Sequence, residues 1–114
     1  MFIRKDRLNR QLQQEIAIII HQELKDPRLG FVTITKVELS RDLSHARVGY
    51  SCLGGADERT RSQEGLEHAT PFIRSLVKKR VRLRIIPGLV FQYDQTIAQS
   101  VDLAARLDQL KRQG

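Results

Sequence analysis

At 114 residues, with 40% hydrophobic and 29% charged residues, the chain has the length and balance of one globular domain with a single modest core. No apolar run approaches the ~20 residues of a membrane span, and the charged start Met1-Phe2-Ile3-Arg4-Lys5-Asp6 lacks the apolar stretch of a secretory signal, so one cytoplasmic domain over 1–114 is expected. The lone Cys52 excludes an internal disulfide and a cysteine metal cage, while a net charge of +7 favours polyanionic partners.

In chain order, Asp6 is suited to cap a first helix reaching about Leu24. Leu8, Leu12, Ile16, Ile19, Ile20 and Leu24 form one apolar stripe along it, and Ile18 projects away, which suggests cover from another helix. Lys25-Asp26-Pro27-Arg28-Leu29-Gly30 stops that helix, because Pro27 forces Asp26 out of helical geometry and Gly30 permits a turn. Phe31 to Leu39 is rich in β-branched residues and reads as a strand, with an apolar phase shift between Ile34 and Val37 that a bulge near Lys36 would explain. Ser40 to His45 supplies a turn. Ala46, Val48, Tyr50 and Cys52 then alternate with polar positions, so the two strands should form an antiparallel hairpin.

Gly54-Gly55-Ala56 ends the hairpin, with Asp57 or a neighbour as the cap of a second helix whose apolar arc is Leu66, Ala69, Phe72, Ile73, Leu76 and Val77. Pro71 should break or kink it around Ala69-Thr70-Pro71, and the helix should end near Lys79, because Arg80 would fall inside the apolar arc. Val81, Leu83 and Ile85 alternate with Arg80, Arg82 and Arg84, predicting a third strand that bends at Pro87-Gly88 and continues through Leu89 to Tyr93. A last helix is expected from about Gln95 to Leu110, with Ile97, Val101, Ala104, Leu107 and Leu110 on its apolar face.

No constellation for catalysis or cofactor binding emerges. His21, His45 and His68 lie in three different predicted elements without metal-ligand spacing, no phosphate-binding glycine loop is present, and a Cys52–His45 pair would point to opposite faces of a regular strand. Neither enzyme activity, nor a metal, nor a cofactor is expected. Charge carries the functional signal instead. Between Ala69 and Tyr93 lie Arg74, Lys78, Lys79, Arg80, Arg82 and Arg84 with no acid, six of the 20 basic residues, which leaves 14 against 13 acids elsewhere. A solvated face is the bland explanation, but the unbroken run and the preference for arginine suit phosphate oxygens better. Arg4, Lys5, Arg7 and Arg10 stand at the end of the first helix where the helix dipole disfavours cations, so local stability does not account for them; a second polyanion contact or a basic tail would. With few aromatics for base stacking, backbone and shape recognition of a structured RNA is expected. An interaction module docking on an acidic protein partner is the alternative.

Lys25 to Arg28, Val32 to Leu39, Asp42 to Val48, Phe72 to Leu76, Arg82-Leu83-Arg84, Pro87 and Phe91 to Asp94 together resemble the bacterial ribosome-binding factor A family, in order along nearly the whole chain. The resemblance implies an α+β, type II KH-like domain with a C-terminal helix, ordered helix-strand-strand-helix-kink-helix-strand. It also implies a monomer that assists maturation of the small ribosomal subunit through its rRNA and supports growth in the cold, with other assembly factors such as a GTPase as further partners. The family pattern adds Arg41, His45 and Arg47, around the Asp42 turn, to the candidate RNA-binding residues; a structural turn capped by Asp42 explains the same residues equally well. Where the family kink is Ala-x-Gly, this chain has Ala69-Thr70-Pro71, and proline offers neither the N–H nor the close approach of glycine.

Overall fold

A computed structural model describes residues 2–29 and 31–95, with the side chains of residues 2–4 left aside. The order is α1 (Phe2–Gln22), a 3-10 turn (Pro27–Leu29), β1 (Val32–Leu39), β2 (His45–Cys52), α2 (Ala56–Arg80) and β3 (Gly88–Tyr93). This is an α+β domain with the KH-like succession of elements. β1 and β2 form the expected antiparallel hairpin, β3 joins the other edge of β2 in parallel, and the strand order is β1-β2-β3. The C-terminal helix expected from Gln95 to Leu110 lies outside the described residues beyond its first position.

One face of the sheet meets both helices. Leu12, Ile16, Ile19 and Ile20 of α1 pack with Val32, Ile34, Val37 and Leu39 of β1, Ala46, Val48 and Tyr50 of β2, Leu66, Ile73 and Val77 of α2, and Leu89 and Phe91 of β3. The α1 stripe is therefore as the spacing predicts, with Leu8 and Leu24 partly buried at its ends. Two departures concern that helix. It begins at Phe2, four residues before Asp6, so Asp6 sits within it and caps nothing. Ile18, expected under another helix, stays 39% exposed.

The register of β1 on β2 slips between Ile34 and Lys36, which is the expected bulge. It leaves Thr35 outside the ladder, where its carbonyl accepts a hydrogen bond from Gln13 Nε2 of α1 (3.3 Å) and its hydroxyl donates to Asp94 Oδ2 just beyond β3 (2.9 Å). The second bond passes over β2 at Gly49, where a Cβ would stand 2.9 Å from Thr35 Oγ1. A single side chain thereby spans all three strands.

α2 starts at Ala56 with Gly55 as its cap and Glu58 Oε2 accepting the Gly55 N–H (2.9 Å), so Asp57 lies in the first turn and is not the cap. The helix runs through Pro71 as one segment, although a break was expected there. Proline removes only the N–H that would meet Glu67, and Leu66, Ile73 and Val77, all buried on one face, hold both halves against the sheet. Phe72, placed in the apolar arc, is instead 46% exposed. Residues 81–87 are not a strand but an irregular connection, with Val81 buried and Ile85 63% exposed. The β2–β3 ladder opens with His45 against Gly88, and because His45 is the first residue of β2, nothing upstream of Gly88 has a strand to pair with.

Gly49→Ala should push Thr35 off Asp94 and cost about 1–2 kcal/mol through the lost bond and local overpacking, read as a lower denaturation midpoint in urea with an unchanged slope.

Candidate nucleic-acid interface

Three contacts place the basic segments relative to the sheet. Asn9 Oδ1 on α1 accepts the N–H of Leu39, the last residue of β1 (3.0 Å). The carbonyl of Ser44, in the β1–β2 turn, accepts the N–H of Gly88, the first residue of β3 (2.9 Å). Arg74 of α2 reaches the connection just before that strand. The early turns of α1, the β1–β2 turn and the end of the α2–β3 connection thus meet at one end of the sheet, and Lys78 to Arg84 follow from the same end of α2 and line one concave surface.

The candidate cations differ in what they are already bound to. Arg74 donates from Nε to the carbonyl of Pro87 (3.1 Å) and from Nη2 to that of Ile86 (3.0 Å), so its guanidinium fastens the connection to α2. Arg80 pairs with Glu23 (3.1 Å) and Glu15 (3.8 Å) and ties the end of α2 to α1. Both were expected to clamp phosphate, and both instead have internal partners. Arg47 pairs with its cross-strand neighbour Glu38, whose carboxyl that guanidinium, with Lys36 and Lys5 nearby, holds below the usual range. Lys78, Lys79, Arg82 and Arg84 are exposed and, among the described residues, have no ion-pair or hydrogen-bond partner; the same holds for Arg7, Arg10 and Arg41. The side chain of Arg4 lies outside what is described, and Lys5 is half-buried.

The turn itself is tightly built. Asp42 Oδ1 accepts bonds from Ser44 Oγ (2.7 Å), Ser40 Oγ (2.8 Å) and the Ser44 N–H (3.1 Å). The Ser44 hydroxyl, then the Ser40 hydroxyl, hold the Asp42 carboxyl down at about 2. Between them Leu43 takes φ +62°, a left-handed conformation that side chains with a Cβ adopt rarely. Sequence reasoning gave no hint of it. His45 and Cys52 are the two ends of β2, too far apart to act together. Among the described residues no group of three metal-ligating side chains occurs, and no helix is long and apolar enough to cross a membrane. At the expected kink, the Thr70 hydroxyl donates to the Leu66 carbonyl (2.8 Å) within the helix and Pro71 is exposed.

The family model described as Ribosome-binding factor A matches residues 4–107. The chain belongs to the ribosome-binding factor A family. A relative of that name from Thioalkalivibrio sulfidiphilus is 45% identical over 107 residues, covering 94% of this chain and 83% of its own length. The crystal structure of ribosome-binding factor A from Thermus thermophilus aligns with a TM-score of 0.71 at 31% identity, over 78% of this chain and 93% of that one. A homology model of the Thermus thermophilus factor, as fitted into a cryo-EM map of its 30S complex, aligns with a TM-score of 0.65 at 30% identity, over 78% of this chain and 93% of that one.

The division between bound and free cations predicts opposite behaviour for two neighbouring residues. Arg74→Ala should cost about 1–2 kcal/mol of stability, because two carbonyls lose their donor, whereas Lys79→Ala should stay within about 0.5 kcal/mol in the same denaturation experiment. For Asp42 the folded value of about 2 lies below the ordinary 3.8, so its ionised contribution is intact above 3.8 and lost as pH falls through 2. A carboxyl titration followed by NMR should show that low midpoint, and Ser44→Ala should move it upward.

Proposed function

We propose that this chain is a ribosome-binding factor that assists maturation of the small ribosomal subunit by holding its rRNA, with residues 1–114 acting as one KH-like unit in the cytoplasm. It works as a clamp and makes or breaks no bond. The observation that carries this reading is that Lys78, Lys79, Arg82 and Arg84, exposed and unpartnered among the described residues, line one surface, while Asn9 of α1 and the start of β3 both meet the end of the sheet that holds the β1–β2 turn. Lys78, Lys79, Arg82 and Arg84 form the main phosphate contact, and Arg7 and Arg10 form the second, with Arg41 between them. Arg4 and Lys5 extend the second contact toward the chain start. Membership of the family, and the 30S complex in which the Thermus thermophilus factor is seen, point to the same target.

Arg74, Arg80 and Arg47 enter this reading as scaffold, since their guanidinium groups are occupied. Selectivity comes from geometry: cations fixed at set spacings are all satisfied only by an RNA of matching shape. The Ala69-Thr70-Pro71 segment contributes no contact, because proline has no N–H and the Thr70 hydroxyl is already used.

If Lys78, Lys79, Arg82, Arg84, Arg7 and Arg10 each neutralise one phosphate, the logarithm of affinity for small subunits should fall against the logarithm of salt concentration with a slope of roughly −4 to −5. The double variant Arg82→Glu, Arg84→Glu should fold normally, bind more weakly and give a shallower slope. A flat salt response would reject the clamp. Retained binding in the presence of excess structured RNA would favour an acidic protein partner in its place.

A further inference from the structure

The two most exposed large apolar side chains among the described residues lie at the end of the sheet remote from the β1–β2 turn. Phe31, just before β1, is 71% exposed, and Leu53, just after β2, is 69% exposed. Both line one hollow with Pro27, half-buried Cys52 and the α2 residues Glu58 and Arg61. The charges of that rim balance: Arg28 is paired with Asp26, and Arg61 stands three residues from Glu58, whose carboxylate accepts the Gly55 N–H. A polyanion has no excess of cations to meet there, so this end lies outside the RNA-binding reading.

The chain beyond β3 starts beside this surface. The Asp94 N–H donates to the Tyr50 carbonyl (2.7 Å), which brings Gln95 level with the end of β2. Leu53 is three residues past Tyr50, about 10 Å further on at the rise of a strand. Gln95 itself lines a second hollow, with Tyr50, Tyr93, Ala56, Arg59 and Gln63. Ala56, Arg59 and Gln63 fall on one side of α2 and Glu58, Arg61 and Ser62 on the other, so the first turns of that helix stand between the two hollows. Residues 97–110, expected from their spacing to form a helix with Ile97, Val101, Ala104, Leu107 and Leu110 on one face, would extend about 21 Å, enough to pass from the second hollow to the first. A helix of that length is marginal in water unless its apolar face is covered.

We infer that residues 97–110 fold back across this end of the domain as an amphipathic helix, Ile97 and Val101 meeting the hollow beside Tyr93 and Leu107 meeting Leu53 and Phe31. The occupant follows from the attachment point. A segment tethered at Gln95 meets the exposed pair at an effective concentration of the order of millimolar, which a free partner or a second copy has to match from solution. Two apolar surfaces, neither able to cover itself, are thereby closed on each other at the end of the sheet that the phosphate clamp leaves free. The inference does not depend on RNA binding.

The full chain tests this through its single thiol, since Cys52 lies in the hollow that Leu107 would cover. The double variant Val101→Asp, Leu107→Asp should raise the rate of Cys52 modification by an aromatic disulfide about ten-fold and shift the NMR amide resonances of Phe31 and Leu53. Gln109→Asp, a charge added to the polar side of the same helix, should change neither. In the reciprocal experiment Leu53→Ser, which leaves the buried core intact, should shift resonances within residues 97–110. Unchanged Phe31 and Leu53 resonances in the double variant overturn the inference, and so does a Gln109→Asp effect as large as that of the double variant. Shifts that depend on protein concentration would make a second copy the cover and overturn it as well.

Discussion

β3 lies parallel to β2, and this pairing decides where the charge of the molecule ends up. A parallel neighbour cannot be reached by a tight turn, so the chain that leaves β2 at Cys52 must travel back along the sheet before β3 can begin opposite His45. α2 makes that return, and its 25 residues are long enough to carry its last turn to the end of the sheet where the β1–β2 turn lies. Lys78, Lys79 and Arg80 fill that last turn, and the connection to β3 adds Arg82 and Arg84. Were β3 antiparallel to β2, no helix would be needed to return the chain to that end of the sheet.

Much of this was legible in the sequence because it is periodic. The α1 stripe, the hairpin and even the bulge follow from apolar spacing, since the phase change between Ile34 and Val37 has no other inexpensive explanation on a strand with one buried face. The false strand over residues 81–85 has the same origin. Val81, Leu83 and Ile85 satisfy a period of two, but a strand is defined by its neighbour, and β2 begins only opposite Gly88, after such a strand would already have to be paired. Pro71 misled for the complementary reason: a local rule about one missing N–H was overruled by three buried side chains that keep the helix on the sheet. Start and stop signals were the least legible, as Asp6 and Asp57 show, because a plausible cap is only one of several groups able to satisfy the first N–H groups of a helix.

The composition of the basic surface was legible, but the roles of its members were not. Arg74 is indistinguishable by sequence from Lys78, yet its donors close on two carbonyls thirteen and twelve residues away. Arg80 did carry a signal, since it falls within the apolar arc of α2, and a cation facing inward must find a partner; Glu15 and Glu23 supply it. Such arginines spend their donors on the scaffold, Arg74 on neutral carbonyls and Arg80 on carboxylates. The guanidinium of Arg74 sets the path into β3, and the Arg80 pairs set the angle at which α1 meets the end of α2.

Free cations crowded on one surface repel each other, and the folded chain must tolerate this before any partner arrives. Lys78 and Lys79 lie in the final turn of α2, where the unsatisfied carbonyls and the helix dipole favour positive charge by about 0.3–1 kcal/mol each. Arg82 and Arg84 are in irregular backbone, free to spread into solvent. The repulsion is thus largely met by the element that delivers the charges, without acids that would have to be displaced on binding. A phosphate backbone meeting this surface would have no ion pair to break at those four residues among the described ones.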